Sequence, residues 1–159
     1  TRGRRGRRAA LVGLRSSVAF PHPHDVASLR PSSLRALGFS TQKARAILSL
    51  ARAIDQHALD LESLDALDDQ DACVRLLALD GVGRWTAEYV LLRGLGRLNI
   101  FPGDDVGAQN RLARWLGRRA PLDYAGVRRA TRGWQPYAGL VYFHLLLDGL
   151  AQAGAVRAG

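Results

Sequence analysis

The chain has 159 residues, 47% hydrophobic and 23% charged, which fits one folded domain and excludes disorder as the whole answer. No run of 18 apolar residues occurs and the Arg-rich start lacks an apolar stretch, so neither a membrane span nor a secretory signal is expected; the single Cys73 excludes a disulfide framework, a Cys-ligated iron–sulfur cluster and a multi-Cys zinc site. The net charge of +9 is unevenly spread, with 11 basic residues against one acid in 1–54, one against eight in 55–80 and 11 against five in 81–159, a pattern that fits a polyanion such as nucleic acid facing the basic regions.

Residues 1–19, opening with Arg2, Arg4, Arg5, Arg7 and Arg8, read as an Arg-rich leader or a truncated helix, since like charges in a block repel and stay solvated. His22 and His24 flank Pro23 in an expected turn, with no cysteine near to complete a metal site. Pro31-Ser32-Ser33-Leu34 starts a short helix that Gly38 ends. Ser40-Thr41 offers an N-cap to a helix of about four turns marked by Ile47, Leu50, Ala51 and Ile54. Between Asp60 and Asp71, acids alternate with Leu61, Leu64 and Leu67, which predicts a surface loop with helical turns. A helix over Asp71 to Leu79 follows; Asp80-Gly81-Val82-Gly83 breaks it, and another runs from Arg84 to about Arg93.

After a turn-rich stretch, Asp104-Asp105 opens a helix to Gly117, with carboxylates where the helix dipole favours them. Pro121 and Asp123 begin a shorter one. Pro136, suited to a first helical turn, is expected to lead a helix to about Gln152. That helix is apolar on nearly all sides through Leu140, Val141, Phe143, Leu145, Leu146 and Leu147, which predicts burial within a bundle and a core position for His144. The expected class is all-α, a helical bundle, with the folded domain over 20–159.

Two helices joined by Gly81-Val82-Gly83 leave the first amides of the second helix unpaired, and neither glycine carries a Cβ to hold a phosphate away. By itself this pattern fits a compact turn as well as a phosphate site. It resembles the helix-hairpin-helix element of DNA-binding proteins, in which Val82 would plug the hairpin into the core. Trp85 and Tyr89 follow at i and i+4, and the Asp104-Asp105 pair lies 20 residues after Trp85. Gly83-Arg84-Trp85-Thr86-Ala87, Phe101-Pro102-Gly103-Asp104-Asp105 and Trp134-x-Pro136-Tyr137 together resemble the helix-hairpin-helix DNA glycosylase superfamily. Within it the alkylation-repair branch, of DNA-3-methyladenine glycosylase II type, is the nearest match.

The resemblance implies base-excision repair: a damaged nucleotide flipped from the duplex and stacked on Trp85 and Tyr89, then hydrolysis of its N-glycosidic bond with Asp105 as the catalytic carboxylate. Asp104 is expected to be a cap or support. It implies phosphate contacts at the amides of Gly81, Gly83 and Thr86, and a monovalent cation on the carbonyls of Leu77, Leu79 and Val82; no other cofactor is expected. Trp85 occupies the position where strand-cleaving relatives carry a Schiff-base lysine, so a monofunctional enzyme that leaves an abasic site is implied. The substrate class would be alkylated purines such as 3-methyladenine and 7-methylguanine in duplex DNA, and the enzyme a monomer in the cytoplasm or nucleoid. Arg111, Arg114, Arg118 and Arg119 fit a DNA-lining row or a solvated helix face equally.

The sequence departs from the pattern in two places. Leu146 stands where a pocket tryptophan is found, and Ala138 where an arginine commonly follows the tyrosine. Upstream helices and a wedge loop, which would fill the gap left by a flipped base, are expected before residue 20, where only Ala9-Ala10-Leu11-Val12 to Phe20 stands and no wedge candidate is legible. A DNA-binding module without catalysis, or an incomplete enzyme, is therefore the second reading, and a purely structural bundle the third.

Overall fold

The computed structural model describes residues 20–154, and the Arg-rich segment 1–19 lies outside them. The described residues contain helices and turns but no strand. The helices run α1 (Pro23–Ala27), α2 (Pro31–Ala36), α3 (Thr41–Asp55), α4 (Asp69–Leu77), α5 (Arg84–Arg93), α6 (Val106–Trp115), α7 (Tyr124–Thr131) and α8 (Ala138–Gln152). Short 3-10 turns occupy Glu62–Ala66 and Arg132–Trp134.

Four of the starts share one device. Ser40, Asp68, Asp105 and Asp123 each hold extended backbone and accept a hydrogen bond from the amide three residues on, at Lys43, Asp71, Ala108 and Gly126. A side-chain oxygen there satisfies one of the four amides a helix cannot pair itself. Asp68 therefore opens α4 two residues earlier than the apolar spacing implied, and α4 ends at Leu77 rather than Leu79.

Three apolar clusters hold the helices. Leu34, Ala44 and Leu48 join α2 to α3. Leu64, Ala72, Leu76, Ala87 and Leu91 join the acidic segment, α4 and α5. Leu92, Phe101, Ala108, Leu112, Ala113, Leu122, Val127, Ala138, Tyr142 and Leu145 join α5 through α8. The neighbours Leu91 and Leu92 enter different clusters, so α5 is the wall shared between them. Both faces beside that wall are apolar for this reason.

Several expectations need correcting. The acidic stretch carries the expected helical turn, at Glu62–Ala66, and exposes most of its acids, but it is anchored inward: Leu64 is 1% exposed, and Arg97 reaches across to donate to the carbonyls of Leu64 and Leu67 while pairing with Asp69 at 2.9 Å. The segment around His22 and His24 is a short helix with Pro23 in its first turn, because Asp25 accepts from the amide of His22 at 2.9 Å. Pro136 does not lead the last helix; a cis Gln135–Pro136 bond precedes it and α8 begins at Ala138. Nor is α8 buried all round. Ala138, Gly139, Tyr142 and Leu145 form its inner face, whereas Leu140, Leu147 and His144 are exposed. The apolar composition exceeds what the described neighbours cover. No described helix is long and apolar enough to cross a membrane.

Candidate active site

The hairpin between α4 and α5 is shaped by two glycines with different jobs. Gly81 has φ +77°, and a Cβ there would lie 2.5 Å from the Cβ of Ala46 on α3. Its missing side chain thus serves a close helix approach, and the expectation that it leaves room for a phosphate is corrected. Gly83 keeps that room: nothing lies within 4 Å of the Cβ it lacks. It is the N-cap of α5 and supplies no side-chain hydrogen bond, so among the described residues the amides of Arg84, Trp85 and Thr86 have no backbone acceptor. Val82 packs into the α4–α5 cluster as the expected plug. The carbonyl of Leu79 accepts from the amide of Val82 at 3.1 Å, while those of Leu77 and Val82 receive no backbone amide.

On successive turns at the start of α5, Trp85 and Tyr89 stack with ring centroids 5.2 Å apart at 21°. Trp85 is 42% exposed, so part of the indole remains accessible. Its indole Nε1 donates to Asp105 Oδ2 at 3.2 Å, and the Tyr142 hydroxyl donates to the same oxygen at 2.8 Å. Asp105 Oδ1 accepts from the amide of Ala108 at 2.8 Å. One oxygen therefore caps α6 and the other is held at the edge of the aromatic pair, so capping and a functional role do not compete. The cap expected at Asp104 belongs to Asp105. Asp104 instead pairs with Arg84 at 3.5 Å.

Tyr142 was not legible as a site residue in an apolar run. A buried tyrosine needs a partner for its hydroxyl, and that rule is the signal which singles it out. It contacts Tyr89 and Phe101 edge-on at 6.2 and 5.3 Å. Burial, then the hydrogen bond to Asp105, pushes the phenol well above its ordinary range, so it remains a donor at neutral pH. Leu146 is half-buried one turn further along α8; Tyr142 is the residue of α8 that reaches the carboxylate. Arg93 completes a ladder on α5, its guanidinium 5.8 Å from the Tyr89 ring and donating to that hydroxyl at 3.3 Å. Arg111 folds back between α6 and α8, within 2.7 Å of where a Gly149 Cβ would stand, while Arg114, Arg118 and Arg119 are exposed.

A hairpin plugged into the core, an uncapped helix start beyond it and a carboxylate beside stacked aromatic rings are now in place. A model of the HhH-GPD superfamily of base excision DNA repair proteins matches residues 8–136. The chain belongs to this superfamily. Two relatives are similar over its helical domain. DNA-3-methyladenine glycosylase 2 of Escherichia coli is 30% identical over 128 residues, 80% of this chain and 42% of that protein. A DNA-3-methyladenine glycosylase of Bacillus subtilis is 31% identical over 130 residues, 80% of this chain and 43% of that one. The chain thus spans less than half the length of either. Among solved structures, the 3-methyladenine DNA glycosylase Mag1 of Schizosaccharomyces pombe in complex with abasic DNA superposes with a TM-score of 0.72. It is 26% identical, covering 79% of this chain and 62% of that one. The all-α expectation and the HhH-GPD assignment agree with these matches.

Proposed function

We propose that this HhH-GPD chain carries the chemistry of a monofunctional DNA glycosylase, hydrolysing the N-glycosidic bond of alkylated purines in duplex DNA and leaving an abasic site. The observation that carries the reading is Asp105 Oδ2, fixed by Trp85 and Tyr142 at the rim of an exposed aromatic stack. A flipped purine lies against Trp85, and cationic 3-methyladenine or 7-methylguanine gains cation–π attraction from the ring. As the bond to C1′ lengthens, positive charge grows on the sugar, and the ionised Asp105 stabilises it. Water adds to C1′, its proton passes to solvent or to the carboxylate, and the alkylated base leaves neutral because its positive charge receives the bonding pair. Lys43, the one lysine of the chain, sits in the first turn of α3, so no lysine accompanies Asp105 on α5 or α6 to form a Schiff base.

The names of the relatives and the DNA in the Mag1 complex support this substrate class. The uncapped start of α5 supplies the phosphate dock, with amides of Gly83 and Thr86 as donors. The amide of Gly81 stands beside them. Backbone carbonyls at Leu77, Leu79 and Val82 would hold a monovalent cation, which adds positive charge where a phosphate docks; the engaged carbonyl of Leu79 retains a second lone pair for it. The chain acts as a monomer on duplex DNA in the cytoplasm or nucleoid.

Release of free base from methylated duplex DNA, with heat cleavage at the resulting abasic site, tests the reading. Release with an intact strand before heating is the expected result. Binding without release would leave a DNA-binding module, and no salt-dependent binding would leave a structural bundle.

Two variants divide the roles. Tyr142→Phe removes one donor to an ionised carboxylate, and loss of a hydrogen bond to a charged group costs about 1.5–3 kcal/mol. Single-turnover release should fall about tenfold or more, with DNA affinity unchanged; an unchanged rate would remove Tyr142 from the site. Gly83→Asp should act in opposite directions on two measurements. The space beside Gly83 is open and its φ is −91°, so an aspartate caps α5 and raises stability by a few tenths of a kcal/mol, about the usual gain over glycine. The same carboxylate meets the docking phosphate, and duplex affinity should drop about fivefold, from about 1 kcal/mol of like-charge repulsion at an exposed helix start. A stabilised variant that binds DNA normally would place the phosphate elsewhere.

A further inference from the structure

Helix α5 carries a second pair of side chains at i and i+4 beside the stacked aromatics. Arg84 and Glu88 face the loop that delivers the carboxylate. Glu88 is 6% exposed. Its Oε2 accepts from the amide of Gly103 at 2.8 Å and its Oε1 from the Tyr124 hydroxyl at 2.7 Å. From the other side the Gln109 side chain donates to the Gly103 carbonyl at 2.8 Å. Gly103, two residues before Asp105, is thus gripped at both its N–H and its C=O. Gly103 fits only as glycine, because a Cβ would stand 2.7 Å from the Tyr124 ring. The Arg84 guanidinium lies 4.4 Å over that ring and pairs with Asp104.

A buried carboxylate is costly unless its oxygens are used. Both are used here, and on the approach to Asp105. Burial raises the Glu88 carboxyl above its ordinary range, against the hydrogen bonds from Tyr124 and Gly103. Burial, followed by the bond to Glu88, raises Tyr124 to about 12, so the tyrosine stays the donor.

We propose that Glu88 is a positioning residue for the reaction: through the Gly103 peptide and Tyr124 it sets where the Asp105 carboxylate stands relative to Trp85. This rests on the reading in which Asp105 serves base excision, but the placement itself is a property of the folded chain. One helix then fixes both halves of the site, the stacking surface through Trp85 and Tyr89 and the carboxylate through Glu88.

The chain has three tryptophans, hence three indole N–H signals in solution. The Trp85 signal, assigned with Trp85→Phe, reports the hydrogen bond to Asp105. Glu88→Gln keeps the side-chain shape but removes the charge from the Gly103 contact and forces the Tyr124 hydroxyl to turn and accept from the new NH2 group. The Trp85 signal should shift, and single-turnover release from methylated duplex should fall about 10- to 100-fold, the cost of a displacement of up to about 1 Å. Affinity for duplex containing an abasic site should stay within about twofold, because the phosphate dock is untouched. Tyr124→Phe, which deletes one hydroxyl and leaves the ring, should move both readouts in the same direction by less, and stands in for Glu88→Gln should that variant fail to fold. An unmoved Trp85 signal in the folded variant overturns the proposal. Loss of melting temperature with the signal and rate preserved does so equally, by making Glu88 purely structural. Failure of the parent chain to release base would overturn the glycosylase reading alone, since the indole signal still tests the placement.

Discussion

Asp105→Asn is expected to lower base release by about 10²–10³-fold, the usual cost of removing one preorganised electrostatic contact to a transition state. Duplex affinity should remain within about twofold, because the carboxylate is not among the phosphate contacts. The substitution is informative because it spares the fold. Asparagine caps a helix as well as aspartate does, and the Oδ1 that accepts from Ala108 is reproduced by the amide oxygen. Change is confined to the other oxygen. An NH2 group there meets two donors, the Trp85 indole and the Tyr142 hydroxyl. The hydroxyl can turn and accept; the indole cannot. The variant therefore loses the charge and one hydrogen bond together, with only minor cost to stability. Single-turnover release and equilibrium binding, measured on the same duplex, separate the two effects. Equal loss in rate and affinity would mean that Asp105 binds DNA and that the chemistry lies elsewhere.

The double duty of Asp105 also marks the limit of what the sequence makes legible. Caps, periodicity and the glycine hairpin are local, and they locate α2, α3, α5 and the starts of α6 and α7 closely. Trp85 and Tyr89 are legible as a pair because i and i+4 share a helix face. Contacts between distant segments are another matter. Tyr142 lies 37 residues from Asp105 and Tyr124 lies 36 from Glu88, and no spacing rule links them. Gly81 shows the same limit in reverse: its positive φ follows from the turn, but its contact with Ala46 is tertiary. In the acidic segment the surface turns are legible, but alternating acids mask the one leucine that anchors it. Leu64 enters the core, and Arg97 satisfies the carbonyls around it from outside the segment. Hydrophobicity likewise overstates the burial of α8, since composition records apolar faces and not whether a neighbour covers them.

Gly139→Ala should be strongly destabilising for a single added methyl. Gly139 is the second residue of α8, and its amide donates to the carbonyl of Leu98 at 2.7 Å. A Cβ would stand 2.5 Å from Leu92 Cδ1, 2.6 Å from the Ile100 carbonyl oxygen and 2.7 Å from that of Leu98. A leucine tip can rotate away, but two backbone oxygens cannot, so α8 must lift from the loop and strain the Leu98 bond. Overpacking of this kind costs about 1–3 kcal/mol, and a weakened hydrogen bond adds about 1 kcal/mol. The sum of about 3 kcal/mol corresponds to roughly 6–12 °C in melting temperature for a chain of this size. Gly133→Ala, whose new methyl meets nothing within 4 Å and whose φ is not positive, is the matched control and should melt within about 4 °C of the parent, as expected for a change worth at most about 1 kcal/mol. Thermal melts of the two variants decide the point, and a Gly139→Ala protein that melts with the parent would mean that α8 is not seated against the 98–100 loop. The consequence reaches the site, because Tyr142 is three residues further along the same helix. Lifting α8 draws the phenol from Asp105, so release measured well below the melting range should fall in Gly139→Ala at least as far as in Tyr142→Phe, with the Gly133→Ala control retaining the parent rate.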